Sequence, residues 1–244
     1  VFLKLPDRPA AAPWLDETEK AWLAGAVAAP AGAEAGARRS VAAIMLDAEV
    51  LRFALVYFGL ALANFALGLW LPQMIRAAGA STAAAALLTA LPFALAALGM
   101  LAWGVFVDHR PRVVASSVWI PTFAAAAGLV GSAYGVGLTL QLALFSLAAV
   151  GTLAAISSFW TLPTHRLPAA ETAVAVAMIN STGNLGGFAG PFVVGWIKDA
   201  THSFQAGLLF VAACVAVSGL VLMWERRSGP AAISAAPSPA SRRR

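Results

Sequence analysis

Charge is scarce in this chain: Asp, Glu, Lys and Arg make up 11% of its 244 residues, against about a quarter in soluble domains. Water is therefore not its main solvent. There is one cysteine, Cys214, which excludes a disulfide framework and any cysteine-based metal spacing. The three histidines, His109, His165 and His202, fall in expected loops on different sides of the apolar runs, and none has a ligand-spaced partner. No glycine loop followed by Lys-Ser/Thr is present to hold a nucleotide, and no carboxylate pair lies inside an apolar run for acid–base work. No enzyme, no metal and no cofactor is expected. The opening VFLKLPDRPAAAPW lacks the basic region, apolar run and small-residue cleavage site of a signal peptide. With Val1 in place of Met, the chain reads as beginning inside a longer protein.

What the chain does have is apolar length. Residues of the AVILMFWYC set make up 60%, and the mean hydropathy is +0.80. A hydrocarbon core about 30 Å thick needs roughly 20 apolar residues in a helix rising 1.5 Å per residue. Six runs qualify, at about 53–75, 83–107, 113–134, 138–162, 172–197 and 206–224. The third and fourth come from one charge-free stretch, Val113 to Thr164, divided at the glycine-rich turn of Gly131, Gly135 and Gly137. The expected fold class is all-α and integral to a membrane, a six-helix transmembrane bundle over 51–227.

The net charge of +5 is a topology signal and not a nucleic-acid face, because no folded soluble region is left to carry such a face. With the N-terminus placed inside, Lys4, Arg8, Lys20, Arg38, Arg39, Arg52, Arg110, Arg112, Arg166, Arg226, Arg227 and Arg242 to Arg244 share one side. Only Arg76 and Lys198 face out. Basic residues near span ends stay cytoplasmic, so both termini are expected in the cytoplasm of a bacterial cell, with the bundle in its inner membrane. Residues 1–50 read as a cytoplasmic loop with a short helix, in which Asp16 and Glu19 have capping-box spacing. Trp14, Leu15, Trp22 and Leu23 of that helix suit either a membrane surface or a solvated linker. Residues 228–244 read as a disordered basic tail within reach of anionic lipid.

In a bilayer an amide or hydroxyl must find a partner or line a wet cavity. The fifth run, MINSTGNLGGFAGPFVVGW, is densest in such groups. Asn180 and Asn184 lie one turn apart on one face. The pairs Gly183/Gly187 and Gly186/Gly190 admit a neighbouring backbone, and Pro191 favours a bend. A gate beside a binding site and plain helix–helix packing both fit. The fourth run ends with Ser157, Ser158, Trp160 and Thr161 within about one turn, which suits a small polar ligand or an interfacial belt. Tyr57, Asn64 and Gln73 of the first run are candidates for the same cavity, or structural side chains. At the end of the second run, Gly104, Asp108, Arg110 and Arg112 suit a latch or a surface anchor.

Three segments together, LPDRPAAAPWLDETEKAWL, FWTLPT and INSTGNLGGFAGPFVVGWIKDAT, resemble the major facilitator superfamily, and within it the C-terminal half of the anion:cation symporters, the organic-anion transporters of the tartrate, phthalate and hexonate type. The resemblance implies that the six runs are helices seven to twelve of a twelve-helix transporter. It implies substrate contacts at Asn180, Asn184, Trp160, Ser157, Ser158 and Asn64, to which the reading of the first run adds Tyr57. It also implies that Gly104, Asp108, Arg110 and Arg112 approximate the family's latch motif, from which His109 and Pro111 depart. Proton-titrating carboxylates and a substrate-pairing arginine are expected in a missing N-terminal six-helix half. The partners implied are a small organic anion, a proton, that half and the lipid bilayer. The expected function is proton-coupled transport of a carboxylate by alternating access. A sugar or drug facilitator of the same superfamily, and a non-transporting truncated membrane protein, are the alternatives.

Overall fold

The computed structural model describes residues 9–28, 39–110, 113 and 116–228. Lys4, Arg8, Arg38, Arg112, most of the Ala/Gly/Pro-rich linker and the tail beyond Ser228 lie outside the described residues. Among the described residues the regular structure is helical throughout, with no strand. A 3-10 turn at Pro9–Ala11 precedes α1 (Glu17–Ala28), α2 (Val41–Met45), α3 (Ala48–Ala77), α4 (Thr82–Asp108), α5 (Trp119–Tyr134), α6 (Leu138–Phe159), α7 (Thr161–Arg166), α8 (Ala169–Thr201) and α9 (Gln205–Ser228).

Helix starts follow local chemistry. Asp16 Oδ1 accepts from Glu19 N at 2.7 Å while Glu19 Oε2 accepts from Asp16 N at 3.1 Å, the two reciprocal bonds of a capping box. Asp47 caps α3 by accepting from Glu49 N at 2.8 Å, and Ser81 caps α4 by accepting from Ala84 N at 3.2 Å. By length and composition, α3, α4, the combined run Leu138–Arg166 and α9 are each able to cross a membrane. Two helices of the bundle depart from that simple form. α5 has only 16 residues and starts at Trp119, because residues 116–118 form a turn whose Ser117 carbonyl accepts from Trp103 Nε1 at 2.9 Å. α8 has 33 residues, with amides and glycines breaking its apolar sequence.

The α5–α6 hairpin turns at Gly135 to Gly137, with Gly137 at φ +86°. Gly131 is not part of the turn. It lies inside α5 and faces the Leu144 side chain of α6, so one of the three glycines expected in the turn serves packing instead.

α3 is the central element and packs against α4, α6, α8 and α9, while α5 sits between α6 and α9. The tightest seam joins α3 to α8. A Cβ at Gly190 would come within 2.5 Å of the Leu62 carbonyl oxygen, and Gly186 meets the backbone of Phe58 in the same way. Only glycine admits the two backbones this closely. Tyr57, Leu62 and Trp70 meet Gly183, Gly190 and Gly195 in the same order along both helices, so α3 and α8 run parallel.

Two apolar clusters fill the bundle. Leu62, Leu71, Ile75, Leu129, Phe145, Val211 and Val215 belong to one. Ile44, Val50, Phe53, Phe159, Ala175, Ile179 and Leu222 belong to the other, with Tyr57 and Trp160 packed on its edge. Outside these, α4 exposes Leu87, Leu91, Leu98 and Leu101, as a helix solvated by lipid tails does.

Candidate functional site

Two of the residues expected on different runs, Tyr57 and Trp160, come into contact where α3, α6 and α8 meet. Tyr57 of α3 stacks on Phe159, with centroids 5.3 Å apart and planes at 18°. Trp160, at the junction of α6 and α7, meets Tyr57 edge-on at 4.7 Å and Phe159 at 5.4 Å. Phe53 closes the back of the cluster at 6.0 Å from Phe159. The Tyr57 ring also fills the space a side chain at Gly183 would need. Offset and edge-to-face ring pairs add about 0.5–1.5 kcal/mol each beyond burial, so this wall is rigid.

The polar candidates lie on the same three helices. Asn180 and Asn184 are exposed on α8, one turn apart and either side of the seated Gly183. Asn64, two turns along α3 from Tyr57, is half-buried. Ser158 is buried, whereas Ser157 is exposed and donates to the Ala154 carbonyl at 3.0 Å. A pattern separates the two kinds of polar residue. The hydroxyls of Thr122, Ser132, Ser146, Thr152 and Thr182 each donate to the carbonyl four residues earlier, which satisfies them inside their own helix. The amides of Asn64, Asn180 and Asn184 have no hydrogen-bond partner among the described residues. They can donate to and accept from a solute.

The other candidates fall elsewhere. Gly183 and Gly187 are buried against Tyr57 and Phe65, on the face that α8 gives to α3. α8 continues as helix through Pro191. Gly104 has open space around it. Asp108 and Arg110 are exposed at the end of α4 with no ion pair between them among the described residues, and Arg110 lies over the Phe106 ring at 4.8 Å. Gln73 is exposed on α3.

Three features were not marked by sequence spacing. Phe159 reads as one more apolar residue in a run, yet it carries the aromatic cluster. Trp70 donates from Nε1 to the Pro191 carbonyl at 2.9 Å. Arg39 bonds Asp47 and Glu171, 132 positions away in sequence. Only the acidic residue opening each helix could have hinted at the last.

Comparison with known proteins supplies the frame for this geometry. The profile of the Major Facilitator Superfamily matches residues 1–191. The chain is 36% identical over 233 residues to a protein of Agrobacterium vitis named "Putative tartrate transporter", covering 94% of this chain and 53% of that protein. It is 31% identical over 225 residues to the "Quinolone resistance transporter" of Acinetobacter baumannii, covering 91% of this chain and 51% of that protein. The chain thus spans about half the length of the curated relatives it matches. The names of these relatives are those of transporters and not of enzymes. This multi-pass, all-helical membrane chain belongs to the Major Facilitator Superfamily.

Proposed function

We propose that the chain forms the C-terminal half of a proton-coupled symporter for a small organic anion, working by alternating access. All six long helices cross the bilayer in this reading, with both termini on the cytoplasmic side of a bacterial inner membrane, as the distribution of Lys and Arg favours. The carrying observation is that Asn64, Asn180 and Asn184 have no hydrogen-bond partner among the described residues and lie on α3 and α8, the two helices that meet where the Tyr57 ring packs on Gly183. Amides hydrogen-bond to hydroxyl and carboxylate oxygens, and an aromatic wall fixes the ligand's orientation. The names of the tartrate-transporter relatives support a hydroxylated carboxylate as cargo.

Among the described residues no carboxylate lies in the middle of a long helix and no buried cation stands among the candidate amides. Proton coupling and neutralisation of the anion therefore fall to the complementary half, across a site near the midplane. Asp108 and Arg110 act at the membrane surface, as a latch for the loop after α4.

The test is uptake of labelled hydroxy acids and aromatic acids by cells producing the full-length gene product. A carboxylate is taken up in wild type, uptake collapses when the proton gradient is dissipated, and Asn184→Ala lowers it at unchanged protein level. Uptake indifferent to the gradient would favour a sugar or drug facilitator, and the name of the quinolone-resistance relative supports a drug as the alternative cargo.

A further inference from the structure

The segment feeding α3 does not leave the bundle directly. Ser40 caps the single turn α2 by accepting from Ala43 N at 3.2 Å, and Ile44, only 4% exposed, enters the apolar cluster that contains Phe53, Phe159, Ala175 and Ile179. Tyr57 and Trp160 pack on that same cluster. The segment is folded under the aromatic wall, at the end of the bundle where α3 and α8 both begin.

Charged residues fasten it there. Arg39 Nη2 donates to Asp47 Oδ2 at 2.8 Å and to the Ala43 carbonyl at 3.2 Å, while Nη1 donates to Glu171 Oε2 at 3.1 Å. Asp47 caps α3, and Glu171 lies in the first turn of α8, which has no side-chain cap of its own. Each carboxylate already faces the positive end of a helix. One guanidinium therefore ties together the starts of two parallel helices through the two acids their N-termini favour. Glu171 is well shielded, at 15% side-chain exposure. A second, longer link joins Arg166 at the end of α7 to Glu49 in the first turn of α3 at 3.9 Å.

We propose that residues 39–47 form a strap that closes this end of the α3–α8 pair, with Arg39–Glu171 as its releasable catch. Release lifts Ile44 from beneath the Tyr57–Phe159–Trp160 wall and opens the candidate site towards the side where α3 and α8 begin. The catch is suited to release because the Arg39 side chain is 44% exposed, so water can take up the bonds that the guanidinium gives up. Ile44 supplies the apolar part of the closure.

The experiment uses the protein in lipid nanodiscs with Cys214→Ala as background. Hydrogen exchange is followed at the amides of residues 42–46, and maleimide labelling at Ala175→Cys, a fully buried position in the cluster that Ile44 enters. Glu171→Gln is expected to raise both rates about tenfold, the size that loss of a charge-assisted hydrogen bond implies, while amides of α5 keep their protection. Arg39→Cys with Glu171→Cys, joined by a short bis-maleimide, is expected to return exchange at residues 42–46 to the wild-type rate or below. Unchanged rates in Glu171→Gln, equal acceleration in α5, or failure of the two cysteines to be bridged would each overturn the strap. None of these readouts depends on a substrate, so the result stands apart from the transport reading.

Discussion

Trp70 Nε1 donates to the carbonyl of Pro191 at 2.9 Å, from α3 to α8, at the residue where α8 lacks a backbone donor. The same indole meets Gly195, and Lys198 Nζ stands 5.6 Å from its ring and 5.7 Å from that of Phe204. α3 and α8 are thus held at one end by Trp70 and Lys198, along their middle by glycine contacts, and at the other end by Arg39. The glycines expected to let α8 move are occupied by α3. Motion of α8 against the rest of a transporter would then carry α3 with it.

Trp70→Phe keeps a ring against Gly195 and Phe204 but removes the indole donor. The expected loss is about 1 kcal/mol, the net worth of one such hydrogen bond. Trp70→Ala removes the packing as well and is expected to cost about 3 kcal/mol or more. Thermal unfolding in detergent, read for both variants, separates the two contributions.

Gly190→Val pushes a branched side chain into the Leu62 carbonyl and is expected to prevent α3 and α8 from seating. Gly104→Ala meets nothing within 4 Å and is expected to be tolerated, with a helix gain of about 0.5–1 kcal/mol. Monodisperse yield on size exclusion, compared for the two variants, checks that the α3–α8 seam requires glycine at position 190 while α4 does not require it at 104.

Asn180→Ala and Asn184→Ala remove exposed amides without partners among the described residues, so the melting temperature is expected to stay within about a degree of wild type. Substrate affinity is expected to fall about tenfold for each, as one lost hydrogen bond to an anion implies. A loss of stability in place of affinity would make them structural.

The hydrogen bond from Arg39 holds the Asp47 carboxyl below its ordinary value, helped by the Glu49 backbone amide, and Asp47 with Glu171 raises Arg39. A carboxylate with a depressed folded pKa stabilises the fold above its unfolded pKa, and that contribution disappears as pH falls through the folded value. Around the catch stand Arg39, Asp47, Glu49, Arg166 and Glu171. Protection of α2 amides is therefore expected to be flat from neutral pH down to about 5 and to drop below about 4. Asp47→Asn should remove most of that drop, as hydrogen exchange across the range would report.

The membrane helices were legible because lipid imposes length and forbids charge, which leaves long unbroken runs such as Phe53 to Ile75. Boundaries set by tertiary contact were less so. Nothing local in VVASSVW signals that Trp103 holds the Ser117 carbonyl in a turn and delays α5 to Trp119. In the candidate site, Asn180 and Asn184 stood out because amides are costly in lipid. Phe159 did not, since an aromatic residue in an apolar run has no periodic signature of its role. The Arg39–Glu171 pair spans 132 positions, a separation at which a single sequence carries no pairing signal.

The central claim is that the amide face of α8 lines an aqueous solute path and does not face lipid. It is tested most directly by labelling Asn184→Cys with a water-soluble maleimide in vesicles carrying the full-length gene product, in a Cys214→Ala background, with Val217→Cys on the exposed face of α9 as comparison. The account predicts rapid labelling at position 184, slowed by a transported carboxylate, and little labelling at position 217. Equal, slow labelling at both positions, indifferent to every acid tried, would contradict it.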